Sequence, residues 1–235
     1  MVETSSDHDR TSNRRSDSRQ WSPFRRPLLT WSLFVLATLG LLAIFAELAE
    51  DIASKQNFAW DAPLMQAIHQ LVNPGLTAVM DAVTEFGESI AIVIVVGLVL
   101  WFWWRKQLID AVTLFACFAG GMALSNLFKL VLARPRPTLF PPLIVESGYS
   151  FPSGHSIAAV ALYGLLAILL WRRQQHGWAI FFALWIPLID LSRIYLSVHY
   201  PSDVLGGFAL GSLWVLIVFA ARAAYEHRLQ IRRTL

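Results

Sequence analysis

Apolar residues occur along the chain in long blocks that are separated by short polar segments. The first block, Leu28 to Ala46, has 19 residues without a charge, which as a helix is enough to cross about 30 Å of hydrocarbon. Further apolar runs lie at about residues 89–104, 107–128, 156–172, 178–198 and 204–221. This pattern predicts six membrane-spanning helices.

The segment between the first two spans, residues 47–88, is too polar to cross a membrane. Asp61 and Pro63 are typical of a helix start, and Asn73-Pro74-Gly75 predicts a turn. Beyond this turn, apolar residues recur at helical spacing, which favours an amphipathic helix lying at the membrane surface; they are Leu76, Val79, Met80, Val83 and Phe86. The expected fold is therefore an all-α membrane protein of six transmembrane helices, with an interfacial helix between the first and second.

Composition supports a membrane protein and excludes a disulfide or cysteine zinc site within the chain. Hydrophobic residues make up 56% of the chain and charged residues 15%, against about 45–50% and about 25% in soluble domains. The single cysteine, Cys117, permits neither an intramolecular disulfide nor a cysteine zinc site.

Lysine and arginine predict the orientation of the spans. Fourteen of the 19 basic residues lie in the N-terminal tail, at 105–106, at 172–173 and after Ala221. Because cytoplasmic segments carry the excess of such residues, both termini are expected inside the cell. Basic residues that flank spans do not indicate nucleic-acid binding. The predicted organisation is a disordered cytoplasmic tail (1–27), a six-span domain (28–222) and a second cytoplasmic tail (223–235), in the inner (plasma) membrane.

The remaining cations form a second pattern, because four of the five sit within or beside apolar spans, where charge is costly and usually functional. Three groups result. They are Lys129 with Arg134-Pro135-Arg136-Pro137, then Pro152-Ser153-Gly154-His155, then Ser192-Arg193 with His199 and Asp203. Since the chain descends through the fourth span and returns through the fifth, all three groups are expected at the same outer face.

The chemistry of these groups is suited to phosphate. Lys129, Arg136 and Arg193 supply fixed positive charge, and arginine can grip phosphate oxygens in bidentate fashion. Ser153 and Gly154 stand where a helix begins, so backbone N–H groups and the helix dipole can face an anion. Two histidines remain, of which one can attack phosphorus while the other protonates the departing oxygen. Asp203, four residues after His199, can orient a ring nitrogen.

These residues also resemble the three signatures of the type 2 phosphatidic acid phosphatase superfamily, which includes bacterial lipid phosphatases and vanadium haloperoxidases. The matching patterns are Lys129-x6-Arg136-Pro137, Pro152-Ser153-Gly154-His155 and Ser192-Arg193-x5-His199-x3-Asp203. All three are complete and in order.

The resemblance implies a role for each residue. His199 would be the nucleophile that forms a phosphohistidine, Asp203 would orient it, and His155 would be the general acid. The phosphoryl oxygens would be held by Lys129, Arg136, Ser153, Gly154 and Arg193. No metal or other cofactor is expected, since the cations supply the charge that Mg²⁺ supplies elsewhere.

The resulting hypothesis is a lipid phosphate phosphatase whose substrate and partner is a membrane lipid in the bilayer, such as phosphatidate, phosphatidylglycerol phosphate or undecaprenyl diphosphate. The alternatives are a lipid phosphotransferase and a non-catalytic lipid binder or transporter. Haloperoxidase activity is disfavoured by the six spans. Oligomeric state and headgroup stay open.

Four further features allow expectations about structure. Asp190 is expected to pair with Arg193 at i,i+3. Arg134 is open to a role at a second phosphate or a headgroup, and Glu146 has no assigned role. Gly207-x3-Gly211 is a small-residue motif, for which packing within the chain is favoured over dimerisation.

Overall fold

The computed structural model describes residues 25–56 and 58–234, and every regular element in these ranges is helical. Most of the predicted N-terminal tail, residues 1–24, lies outside the described residues. The helices are α1 (Arg25–Ala53), α2 (Asp61–His69), α3 (Pro74–Glu85), α4 (Ser89–Trp104), α5 (Leu108–Leu132), α6 (Gly154–Ala159), α7 (Leu165–Arg172), α8 (His176–Tyr195) and α9 (Pro201–Thr234), with a π-helical turn (Val160–Gly164) joining α6 to α7.

Within the described ranges, six helical stretches are long and apolar enough to cross a membrane, as the sequence predicts. They are Ser32–Ala53, Pro74–Trp104, Leu108–Leu132, Gly154–Arg172, His176–Tyr195 and Pro201–Arg232. Several boundaries differ from the prediction. The first span continues past residue 46 to Ala53, and the second stretch begins at Pro74 and so includes the predicted interfacial helix. The fifth helix ends at Tyr195 instead of residue 198, and α9 continues as one helix past residue 222 to Thr234.

Two helices, α2 and α3, lie between α1 and α4 along the chain. α2 begins at Asp61, where the sequence places a helix start. α3 is the predicted amphipathic helix. Its first turn is capped by the Asn73 side chain, which accepts a hydrogen bond of 3.0 Å from the Leu76 N–H, and Pro74 occupies the first helical position. α3 buries Met80, Val83 and Thr84, and it packs against α8.

The chain divides into two units, Met1–Leu36 and Ala37–Leu235, and all of the predicted functional residues belong to the second. In this second unit α6 is the most enclosed element. It packs against α5, α8 and α9, and all six of its residues are buried. The sequence motif that opens the fourth span is therefore surrounded by α5, α8 and α9.

Two glycines of α9 make this close packing possible. A Cβ built on Gly207 would lie 2.6 Å from the Ser153 carbonyl oxygen, and one on Gly211 would lie 3.1 Å from the Ile157 Cα. The first distance leaves no room for a side chain and the second is a tight contact, so the small-residue motif packs within the chain, against α6.

Candidate active site

The three sequence motifs meet at one end of the bundle. Lys129 is in the last turn of α5, Gly154 opens α6, Arg193 is in the last turn of α8 and Asp203 is in the first turn of α9. Neighbouring spans run in opposite directions, so these four helix ends share one side. Arg105 and Arg172, which follow α4 and end α7, lie at the other end of the bundle.

His199 is the centre of this arrangement and is completely buried, in the turn between α8 and α9. Its Nδ1 lies 3.4 Å from Asp203 Oδ2, and its Nε2 lies 3.4 Å from Arg136 Nη1. A carboxylate can only accept and a guanidinium can only donate. Nδ1 therefore carries the proton, and the lone pair of Nε2 points towards the cations.

Two arginines border His199 and are held rigidly. Arg136 donates to the carbonyl oxygens of Val198 (2.9 Å) and Ser147 (2.8 Å). Arg193 is fully buried, and its Nη1 donates to Thr84 Oγ1 at 2.7 Å. These contacts leave the two guanidinium groups fixed on the face of the site that the loop 138–150 covers.

Glu146, in that loop, bridges the two arginines. Its Oε1 lies 3.3 Å from Arg136 Nη2 and its Oε2 lies 2.7 Å from Arg193 Nη2. Burial alone would raise the pKa of this carboxyl, but the charge and hydrogen bond of Arg193, together with the charge of Arg136, hold the pKa below its ordinary value. An anion therefore occupies the donors that the sequence assigns to phosphate. Sequence analysis assigns no role to Glu146, although it is the single charge in the segment 138–150.

Ser153 and Gly154 form the start of α6. The Ser153 hydroxyl caps the helix by accepting from the Ser156 N–H at 3.4 Å, and the Ser153 N–H donates to the Asp203 carbonyl at 3.0 Å. A Cβ on Gly154 would lie 3.8 Å from Lys129 Nζ. The glycine therefore leaves an open approach between the Lys129 ammonium and the first-turn N–H groups of the helix.

His155 lies on the same helix and is buried. Its Nε2 is 3.3 Å from Glu88 Oε2, at the start of α4. Gly87 packs against the ring, because a Cβ there would come within 2.9 Å of His155 Cδ2. Sequence reasoning missed Glu88 as a neighbour of this histidine.

The expected pair of Asp190 with Arg193 is wrong, and the contacts of Arg134 do not favour the role left open for it. Arg193 does not pair with Asp190, because it donates to Thr84 and Glu146 on other segments. Arg134 is not available to a second phosphate or headgroup, because its guanidinium is bound to Asp61 and Asp203. Both residues face protein groups that lie far away in sequence.

The environment of His199 disfavours its protonated form. Burial is the largest cause, and the positive charges of Arg193, Arg136 and Lys129 add to it, so the pKa of His199 lies well below its usual range. The imidazole is therefore neutral at neutral pH, and its Nε2 carries no proton. In the part of the chain that the structure describes, no group of three or more His, Cys, Asp or Glu side chains could hold a metal ion.

A buried neutral histidine, oriented by a carboxylate and surrounded by fixed cations at the ends of membrane-spanning helices, defines an integral membrane enzyme of phosphoryl transfer. Comparison with known proteins agrees with this class. The sequence model of the PAP2 superfamily matches residues 110–226. The chain is 30% identical to phosphatidylglycerophosphatase B of Bacillus subtilis, over 77% of this chain and 92% of that protein.

Two further relatives extend the comparison. An undecaprenyl-diphosphatase of Sulfolobus acidocaldarius is 29% identical, over 79% of this chain and 86% of its own length. The crystal structure of a transmembrane PAP2-type phosphatidylglycerolphosphate phosphatase from Bacillus subtilis superposes with a TM-score of 0.71 at 30% identity, covering 80% of this chain and 96% of that one. The chain belongs to the PAP2 superfamily, and it is a membrane lipid phosphatase.

Proposed function

We propose that the protein hydrolyses the phosphomonoester of a membrane lipid through a phosphohistidine at His199. The observation that carries this proposal is the position of the Nε2 lone pair, which points towards Arg136 while Nδ1 faces Asp203. A nucleophile needs an unprotonated nitrogen and an oriented ring. His199 has both.

The reaction follows from this geometry in two steps. In the first, Nε2 of His199 attacks phosphorus, the bond from phosphorus to the lipid oxygen breaks, and His155 gives its proton to that oxygen. In the second, water attacks the phosphohistidine, gives a proton to His155, and orthophosphate leaves. Charge on the equatorial oxygens is balanced by Lys129, Arg136 and Arg193 without a metal ion. Ser153 and Gly154 hold the same oxygens from the start of α6.

The membrane sets the direction of approach. The site lies where four spanning helices end, so a lipid anchored in the bilayer can present its phosphate at that height. The positive-inside bias of residues 105–106 and 172–173 supports placing this end on the extracytoplasmic side, with both termini in the cytoplasm. The inner (plasma) membrane is the corresponding location.

The carboxylates beside the site favour a monoester over a diphosphate. A cavity of about 230 Å³ beside the arginines is lined by four carboxylates, those of Asp81, Glu85, Glu88 and Glu146. A leaving group that is itself a phosphate would bring negative charge next to these groups, whereas a lipid alkoxide takes a proton as it leaves. Phosphatidate and phosphatidylglycerol phosphate are therefore favoured over undecaprenyl diphosphate.

The experiment is orthophosphate release from these three lipids in detergent with EDTA present. We expect turnover of both monoesters, at higher kcat/KM than the diphosphate. Preference for the diphosphate would contradict the substrate assignment, and loss of all activity in EDTA would contradict the metal-free mechanism. Phosphate transfer to an added acceptor lipid, in place of release, would identify a phosphotransferase.

The pH profile of kcat/KM should be bell-shaped, because His199 must be neutral while His155 carries a proton. Since the pKa of His199 is lowered, its nucleophilic form persists to acid pH, and the acid limb should lie below pH 6.5, the ordinary value of histidine. Initial rates at low substrate concentration, taken across about pH 4–10, measure the position of this limb. A rate that does not fall on the acid side would count against His199 as the nucleophile.

Replacing Glu146 with glutamine should strengthen inhibition by orthovanadate, which resembles the transition state of phosphoryl transfer. Glu146 and the inhibitor compete for the same guanidinium groups, so the inhibition constant should fall by roughly threefold to tenfold when the carboxylate is removed. Glu85→Gln is the matched control, since it removes a charge from the same cavity. Equal effects of the two variants would contradict direct competition by Glu146.

A further inference from the structure

Asp61 is a buried carboxylate outside the three sequence motifs. It begins α2, and only 4% of its surface is exposed. Its oxygens accept from the Ser202 N–H at 2.9 Å and from the Ser202 hydroxyl at 2.5 Å. Its Oδ2 also accepts from Arg134 at 3.0 Å. A carboxylate with this many donors is held in one position, directly beside the first turn of α9.

Arg134 connects Asp61 to Asp203. While its Nη2 binds Asp61, its Nη1 donates to Asp203 Oδ1 at 2.5 Å and to the Ser202 hydroxyl at 2.7 Å. The guanidinium lies over the Tyr200 ring, 4.1 Å from its centroid. Only 8% of Arg134 is exposed. Both of its ion pairs are therefore shielded from water, and this shielding strengthens them.

The two carboxylate oxygens of Asp203 therefore have different partners. Oδ1 is bound by Arg134, while Oδ2 accepts from the Tyr200 N–H at 2.9 Å and faces His199 Nδ1 at 3.4 Å. Asp203 is fully buried, and a buried charge is stable only beside a counter-charge. Arg134 supplies that counter-charge, and Asp61 balances Arg134, so one negative charge remains for His199.

We propose that Asp61 and Arg134 are positioning residues that hold the carboxylate of Asp203 in place and aimed at Nδ1 of His199. This inference rests on the proposed function of His199 as the nucleophile. Asp61 in α2, Arg134 in the loop after α5 and Asp203 in α9 then form a fixed series of paired charges that supports the three motifs.

The proposal predicts opposite effects of two variants on the pH profile. Asp61→Asn removes a negative charge, which makes protonation of His199 harder and moves the acid limb of kcat/KM to lower pH. Arg134→Gln removes a positive charge and moves the acid limb to higher pH. The charged groups that face His199 from the surrounding elements stay the same in both variants; they are Lys129, Arg136, His155, Arg193 and Asp203.

Each variant should also lower kcat by roughly tenfold to a hundredfold with KM for the lipid phosphate within about twofold, since the orienting carboxylate acts on the nucleophile and not on substrate binding. The matched control is Asp110→Asn. It removes an ion pair of 2.7 Å to Arg222, far from the three motifs, and should leave the profile unchanged.

The experiment measures kcat, KM and the pH profile of the full-length protein in detergent with phosphatidate. Opposite shifts in the two variants support the proposal, and equal profiles in wild type and both variants overturn it. Where Asp61→Asn does not fold, Ser202→Ala removes one hydrogen bond to Asp61 and one from Arg134, and no charge. It should lower kcat severalfold, and full activity would overturn the proposal. Absence of turnover by the wild type is a different result, which contradicts the proposed function itself.

Discussion

Replacing His199 with alanine should lower the release of orthophosphate from a lipid phosphate by about 10⁴-fold or more, as loss of a covalent nucleophile does in other enzymes. The reason is local. Nε2 of His199 is the neutral, unprotonated nitrogen that faces Arg136, and alanine leaves no atom at that position to form the bond to phosphorus. The phosphate-binding cations stay in place, so binding of the product orthophosphate should be weakened far less than turnover.

The matched control for this variant is His227→Ala. His227 is exposed near the end of α9, at the end of the bundle opposite the site. It should retain the activity of the wild type. Release of orthophosphate at comparable rates by His199→Ala and the wild type would mean that another group attacks phosphorus.

Gly207→Ala should lower both stability and activity. A Cβ at this position would lie 2.6 Å from the Ser153 carbonyl oxygen and 2.8 Å from Ser156 Cβ, so α9 must move away from α6. Overpacking of this kind typically costs about 1–3 kcal/mol. The displaced segment includes Ser153 and His155, so activity should fall together with the melting temperature in detergent.

The control for Gly207→Ala is Gly97→Ala, because a Cβ on Gly97, in α4, meets no atom within 4 Å. Alanine is also the better helix former, so the control should be neutral or stabilising. A wild-type melting temperature in Gly207→Ala would contradict the tight packing of α9 on α6. A change in oligomeric state alone would indicate that the glycine lies between two copies of the chain.

The spans and the main site residues could be predicted from sequence because both follow from local rules. Long apolar runs require helices, and a charge next to such a run is rare enough to mark a function. Lys129, Arg193 and His199 stand out for that reason. Their meeting at one end follows from the alternation of span direction, which the structure confirms.

The partners of these residues could not be predicted, because they lie on segments far apart in the chain. Asp61 and Ser202 are separated by 141 positions, and Thr84 and Arg193 by 109. Nothing in the spacing of either residue indicates the other. The expected Asp190–Arg193 pair was wrong for the same reason, since a helical i,i+3 spacing gives no information about competing groups on neighbouring helices. Glu146 was missed because its two arginines belong to different motifs.

The most direct test of the central claim is to trap the phosphoenzyme. Wild-type protein is mixed with phosphatidate labelled in its phosphate, in the presence of EDTA, and quenched with base within one turnover, since a phosphorus–nitrogen bond survives base and breaks in acid. The account predicts an acid-labile label on the peptide that contains His199, and no label in His199→Ala. Turnover by the wild type with no label at His199, or with the label on another residue, would contradict it.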